Sequence, residues 1–110
     1  MTADAGFEGV FQPETLIEYQ ADSIVSRTLV KLPTGSLTLF AVDAGQEISE
    51  HTAPYEAMIQ VLDGEAAVAV GGTWYDVPAG KCIALPAGVP HALKAKTRFK
   101  MLLVMIKAQA

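Results

Sequence analysis

The stretches that decide the fold are residues 45–64, GQEISEHTAPYEAMIQVLDG, and residues 80–91, GKCIALPAGVPH. Each contains one of the two histidines of the chain, His51 and His91. A histidine taken alone is more often a hydrogen-bonded structural residue than a ligand. The significance of this pair therefore depends on the sequence around it.

Short β-branched or aliphatic runs, separated by turn signals about every eight to twelve residues, continue from Ser23 onward and are typical of an all-β sandwich or barrel. Asp63-Gly64 and Gly71-Gly72 suit two-residue hairpin turns, because aspartate and glycine adopt positive φ at low cost. The predicted strands are residues 23–32, 36–42, 47–51, 57–62, 65–70, 73–77, 82–85, 91–95 and 99–107.

One short helix is predicted ahead of these strands, over residues 13–19. Pro13 suits a first helical position and Glu14 lies in the first turn. A chain of 110 residues has room for one domain. We predict an N-terminal extension over residues 1–22 and a single barrel domain over residues 23–110.

The composition excludes several classes of protein. Apolar residues make up 51% of the chain, which excludes intrinsic disorder, and no apolar run approaches the roughly 20 residues of a membrane span. A net charge of −4 argues against nucleic-acid binding. Because Cys82 is the single cysteine and residues 1–10 lack the features of a signal peptide, a cytoplasmic location is predicted.

Two predicted strands, residues 57–62 and 101–106, are apolar on both faces. A strand of this kind buries its second face against another layer or another subunit. A short chain has little material for a further layer, so we predict a homodimer with these two strands in its core. Met58, Met101 and Met105 are interpreted as filler of that interface.

The two quoted stretches resemble the two motifs of the cupin superfamily, G-x5-H-x-H-x3,4-E-x6-G and G-x5-P-x-G-x-x-H-x3-N. The glycine and proline framework of those motifs is matched at every position, by Gly45, Gly64, Gly80, Pro86 and Gly88. The resemblance implies a double-stranded β-helix, that is, a jelly-roll barrel. It also implies a homodimer whose N-terminal segment, here residues 23–32, crosses onto the partner's sheet.

In metal-binding cupins, two histidines and a carboxylate of the first motif and the histidine of the second hold one divalent ion. The resemblance assigns His51 and His91 to two of these ligands, but Ala53 replaces the second histidine and Ala57 replaces the carboxylate. Catalytic zinc or iron sites typically use three protein ligands. A divalent ion such as Zn, Ni, Mn or Fe is therefore expected to bind weakly or not at all.

Two nearby oxygen donors, Glu56 and Gln60, do not replace the lost carboxylate in a regular strand. Side chains alternate between the two faces of a strand, and both residues lie an odd number of positions from Ala57. Only a bulge introduced by Pro54 would bring Glu56 to the inner face.

The two alanines also open space beside the retained imidazoles. Strand alternation places the walls of such a pocket at His51, Ala53, Ala57, Ile59, Val61, His91 and Leu93. A pocket of this kind suits a small, largely apolar molecule with one polar end, for example a carboxylate.

Three functions are compatible with these residues. The first is a ligand-binding cupin in which metal is weak or absent. The second is a metal-dependent isomerase, dioxygenase or lyase, in which His51 and His91 hold an ion whose shell is completed by water and substrate. The third is an interaction module, such as a small-molecule sensor subunit. Cys82, Trp74 and Tyr75 are interpreted as packing residues.

Overall fold

The computed structural model describes residues 6–107. This part of the chain contains one 3-10 helix, Pro13–Leu16, and eight β-strands. The strands are β1 (Ile24–Leu32), β2 (Gly35–Val42), β3 (Glu47–His51), β4 (Glu56–Val70), β5 (Thr73–Pro78), β6 (Cys82–Leu85), β7 (His91–Lys94) and β8 (Phe99–Ile106). The predicted all-β class is confirmed. No helix within residues 6–107 has the length and apolar character needed to cross a membrane.

The strands form one strongly curled antiparallel sheet that folds over into two facing layers. The first layer has the order β1-β2-β8-β4-β6, and the second has the order β5-β4-β7-β3. Strand β4 belongs to both layers, since its first half pairs with β8 and β6 and its second half pairs with β7 and β5. This double-layered arrangement is the predicted jelly-roll barrel.

The predicted hairpin turn at Asp63-Gly64 is wrong. The chain continues through it as strand β4, with an irregular register between Val61 and Asp63 and a φ of +73° at Gly64. A Cβ atom at Gly64 would overlap the carbonyl oxygen of Arg98. The glycine therefore allows one long strand to bend from one layer into the other, whereas Gly71-Gly72 forms the predicted turn into β5.

The predicted helix over residues 13–19 is also too long. Only one 3-10 turn forms, and the chain is already extended at Ile17, with φ −146° and ψ 143°. Ile17 is 5% exposed and packs with Leu29 and Leu39. We attribute the early end of the helix to this contact, because burying a branched side chain on the sheet outweighs the weak propensity of a short helix.

The N-terminal segment, residues 6–19, covers part of the outer face of the first layer. Leu102 of β8 packs against the cluster that Ile17 helps to form, so this part of the doubly apolar strand is covered by the chain itself. Met101 and Met105 face the barrel interior. The interpretation of these two methionines as interface filler is therefore wrong.

Polar contacts fasten the N-terminal segment to β4 and β8. The Tyr19 hydroxyl donates a hydrogen bond of 2.6 Å to the carboxylate of Asp63, and the Lys100 ammonium donates one of 2.7 Å to the carbonyl oxygen of Glu14. The Arg98 guanidinium lies 4.4 Å from the centre of the Tyr19 ring. Burial and the hydrogen bond to Asp63 raise the pKa of the Tyr19 phenol.

Candidate functional site

A cavity of about 190 Å³ lies between the two layers. Its wall consists of Phe40, Ile48, His51, Ala53, Tyr55, Ala57, Ile59, Leu85, His91, Leu93, Met101, Leu103 and Met105. Every wall residue predicted from the sequence is present except Val61. That residue is fully buried one inward position further along β4, in the same cluster as Phe99.

Sequence reasoning missed several wall residues, and the reason differs among them. Met101, Leu103 and Met105 alternate along β8, so they share one face, but the apolar residues between them concealed this periodicity. Tyr55 lies in the irregular segment between β3 and β4, where no periodicity exists to predict its direction.

The two histidines meet because their strands are neighbours. His51 ends β3, His91 begins β7, and the antiparallel register of the two strands places these residues opposite each other. Their Nε2 atoms are 3.0 Å apart and their rings are nearly perpendicular, with an interplanar angle of 72°. His91 is 7% exposed, whereas His51 is open to solvent.

Backbone carbonyl oxygens lie close to the other ring nitrogens. Nδ1 of His51 is 2.8 Å from the carbonyl oxygen of Ser49, and Nδ1 of His91 is 3.3 Å from that of Val89. A carbonyl oxygen only accepts, so a hydrogen bond to it requires the proton on Nδ1. Because His51 makes the shorter contact, we assign its proton to Nδ1, which makes His91 the Nε2–H donor to His51.

Desolvation in the cavity wall is the main effect on the electrostatics of His91. Burial, and in second place the neighbouring His51, lower the pKa of His91 from its usual 6.5. His91 is therefore neutral at neutral pH.

Two loop segments meet at the rim of the site and fix it. The backbone N–H of Gly88 donates to the carbonyl oxygen of Ala53 over 2.9 Å, and that of Ala87 donates to the Glu56 carboxylate over 3.2 Å. Glu56 does not line the cavity. Its carboxylate thus holds the second loop in place.

The donor set does not fit the divalent-metal site that the cupin resemblance implies. The cavity wall offers two imidazoles and no carboxylate. Within residues 6–107, no group of three or more His, Cys, Asp or Glu side chains is arranged to hold a metal ion. Ala53 and Ala57 line the cavity at the positions of the missing ligands.

Comparisons with known proteins agree with this architecture. Residues 38–107 match the family described as the cupin domain. A conserved protein of unknown function from Streptococcus pyogenes is 38% identical over 100% of this chain and 98% of that chain, with a TM-score of 0.90.

Two further solved structures are similar. A cupin 2 conserved barrel domain protein from Leptotrichia buccalis is 38% identical over 86% of this chain and 46% of that chain, with a TM-score of 0.83. A cupin superfamily protein from Desulfitobacterium hafniense is 23% identical over 98% of this chain and 100% of that chain, with a TM-score of 0.90, and shows the shared fold alone. The comparison with curated proteins finds no match. The chain belongs to the cupin family.

Proposed function

We propose that this cupin binds a small, largely apolar carboxylate inside its barrel. The observation that carries the proposal is the cavity of about 190 Å³, whose wall is apolar except for Tyr55 and the His51–His91 pair. Binding sites for small molecules combine such apolar walls with a few polar groups that fix orientation. Here the polar groups lie beside the two alanines that stand in the place of metal ligands.

The size of the cavity limits the ligand. An engineered apolar cavity of about 150 Å³ accommodates benzene. A volume of about 190 Å³ therefore matches one ring, or an aliphatic body of similar size, together with one small polar group.

The histidine pair supplies the polar anchor. Nε2–H of His91 is the donor to His51 over 3.0 Å in the free protein. A carboxylate oxygen entering the cavity accepts this hydrogen bond in place of the His51 nitrogen. A hydrogen bond to a charged acceptor is stronger than one between neutral groups, so the exchange favours an acid over a neutral analogue.

Benzoate, with benzamide as its neutral analogue, tests this proposal. Titration followed by amide chemical shifts is expected to show that benzoate binds more tightly and perturbs residues around the cavity. Ala57→Leu fills the cavity and should weaken benzoate binding by about tenfold or more. Ala84→Leu makes the same change at an exposed residue outside the cavity and should leave binding unchanged.

Two outcomes would overturn the proposal. The first is the absence of benzoate-induced shifts in the cavity at millimolar concentration. The second is equal benzoate affinity in the parent protein and in Ala57→Leu.

We also propose a cytoplasmic location. The thiol of Cys82 is free and exposed, and an exposed free thiol is compatible with a reducing compartment. Labelling with a membrane-impermeant maleimide in intact and lysed cells, with a periplasmic marker as control, tests the location. Reaction of Cys82 before lysis would contradict it.

A further inference from the structure

An exposed aromatic side chain lies on the outer face of the second layer. Trp74 of β5 is 47% exposed and lies directly opposite Ala69 of β4. Two residues further along, Asp76 lies opposite Ala67 in the same ladder. Both alanines are almost fully buried, at 3% and 5% exposure, although Val68 between them faces the core. Larger side chains therefore extend across the outward face of β4 at these alanines.

The indole ring is held in position by a contact across β4. The Lys94 ammonium lies 5.0 Å from the centre of the Trp74 ring, and Lys94 lies opposite Ala67 in the ladder between β4 and β7. The two side chains thus meet above β4 from the strands on its two sides. A ring ordered in this way, and still about half exposed, loses little conformational freedom when a ligand packs against it.

A polar cavity adjoins the indole ring. Its volume is about 190 Å³, and its wall consists of Glu65, Ala67, Asp76, Lys96 and Thr97. The Lys96 ammonium lies 3.8 Å from the Asp76 carboxylate, and both side chains are largely exposed. Alternate residues of a strand are about 6.5–7 Å apart on one face. The polar cavity therefore begins one such step from Trp74.

The polar groups of this surface indicate the kind of ligand that it suits. Carboxylates accept hydrogen bonds, ammonium groups donate them, and the Thr97 hydroxyl does both. The two carboxylates, from Glu65 and Asp76, are balanced in charge by the ammonium groups of Lys94 and Lys96. The surface thus favours neither an anion nor a cation, and it suits a neutral molecule with many hydroxyl groups.

We infer that this outer face of the second layer binds a neutral saccharide. A sugar ring with equatorial hydroxyl groups has faces that carry only C–H bonds, and such a face packs against the apolar body of the Trp74 indole. The polar cavity has room for a second ring, since an engineered cavity of about 150 Å³ accommodates benzene. The step of about 6.5–7 Å between Trp74 and Asp76 is comparable to the length of one sugar unit.

The inference does not rest on the proposed carboxylate site, which lies inside the barrel. Its two parts, the exposed ring and the polar cavity, are formed by outward residues of β4, β5 and β7 and by the segment that follows β7. Changes on this face therefore leave the wall of the barrel cavity intact.

Titration with cellotriose tests the inference, because its β-linked glucose rings carry equatorial hydroxyl groups. Amide chemical shifts locate the binding, and Trp74 is the single tryptophan of the chain, so its fluorescence reports on the site directly. We expect millimolar cellotriose to change this fluorescence and to cause saturable shifts in β4, β5 and β7 around Trp74.

Variants of the two parts of the surface should weaken this binding. Trp74→Ala should weaken cellotriose binding by about tenfold or more, and Trp74→Tyr, which keeps an aromatic ring, should retain part of the affinity. Lys96→Ala removes a donor from the polar cavity and should weaken binding by about threefold or more. Tyr75→Ala is the matched control, because Tyr75 is 48% exposed on the same strand but lines a different cavity. It should leave the affinity within about twofold of the parent.

Three outcomes would overturn the inference. The first is the absence of shifts around Trp74 at millimolar cellotriose, and the second is equal loss of affinity in Trp74→Ala and Tyr75→Ala. The third is tighter binding of tetramethylammonium than of cellotriose, which would make the indole and its carboxylates a site for cations. Benzoate titration of Trp74→Ala distinguishes the two sites, since benzoate binding that persists without cellotriose binding concerns the barrel cavity alone.

Discussion

His91 is a buried neutral histidine, and its environment makes stability depend on pH. Its pKa is lowered in the folded protein, whereas in the unfolded chain it titrates near about 6.5. Between these two values the unfolded state binds more protons. The free energy of unfolding should therefore fall as pH decreases below about 6.5 and stop falling from this cause below the folded-state pKa.

Urea denaturation at about pH 7.5, 6.5 and 5.5 measures this effect, in a range above the usual titration of carboxylates. In His91→Gln, the decrease in unfolding free energy over this range should be smaller. An unchanged pH dependence in that variant would contradict the prediction.

Among the glycines of residues 6–107, Gly64 has the least space for an added Cβ atom. Gly64→Ala combines positive φ with overlap of the Arg98 carbonyl oxygen. We expect the backbone conformation to cost about 1–2 kcal/mol and the overlap to add about 1–3 kcal/mol. Gly72→Ala is the control, because Gly72 has a φ of +84° but no atom within 4 Å of an added Cβ.

Thermal or urea unfolding of the two glycine variants compares these costs directly. Equal loss of stability in Gly64→Ala and Gly72→Ala would show that the overlap with the Arg98 carbonyl oxygen does not contribute to the destabilisation.

Motif spacing and strand alternation each predict different residues of the candidate site. Spacing within the two motifs identified His51 and His91, and strand alternation identified Ala57 and Ile59. Alternation alone does not show where a cavity ends, so Val61 was included although the core closes around it.

Among the elements, the N-terminal segment, residues 6–19, covers part of the outer face of the first layer. Ile17 is its buried contact, at 5% exposure. Ile17→Ala should destabilise the protein by about 2–4 kcal/mol, since it leaves a gap over the sheet. Glu18→Ala, at an exposed neighbouring position, should change stability by less than about 0.5 kcal/mol.

Urea denaturation measures both changes, and hydrogen exchange locates them. If the N-terminal segment covers the outer face of the first layer, Ile17→Ala should also increase amide exchange in β1 and β2. Equal stability of the two variants would mean that the segment contributes little to the fold.

Strand β4 shows why turn-forming residues alone do not predict where a strand ends. Asp63-Gly64 is a favourable hairpin sequence, and the dipeptide does carry positive φ at Gly64. Residues up to Gly64 pair with β8 and the residues after it pair with β5, so the chain continues forward through the bend as one strand. Long-range pairing therefore decided between a hairpin turn and a bend, both of which use a positive φ at the glycine.

At the scale of the whole molecule, an apolar patch stays uncovered on the first layer. Leu32, Met58 and Ile106 are 37%, 38% and 55% exposed, respectively. Strand β1 pairs with β2 of its own chain, so the crossing of residues 23–32 onto a partner stays a prediction. We predict that this patch forms the homodimer interface expected from the apolar composition.

Sedimentation at micromolar concentration tests the homodimer. Ile106→Glu should shift the protein toward monomer, because it places a charge within the apolar patch. Trp74→Glu, at a residue 47% exposed on the other layer, should not. A monomeric parent protein, or the same effect from both variants, would contradict the prediction.

Turn residues and strand alternation act over a few residues and predicted an all-β barrel, and the resemblance to the cupin motifs assigned His51 and His91 and the two lost ligand positions. The folded chain shows that β4 spans both layers, that residues 6–19 cover part of the first layer and that Met105 lies opposite Ala57. Each of these depends on which distant strands pair and in what register. Contacts between residues far apart in the chain are not encoded in any local pattern, so they appear only once the chain is folded.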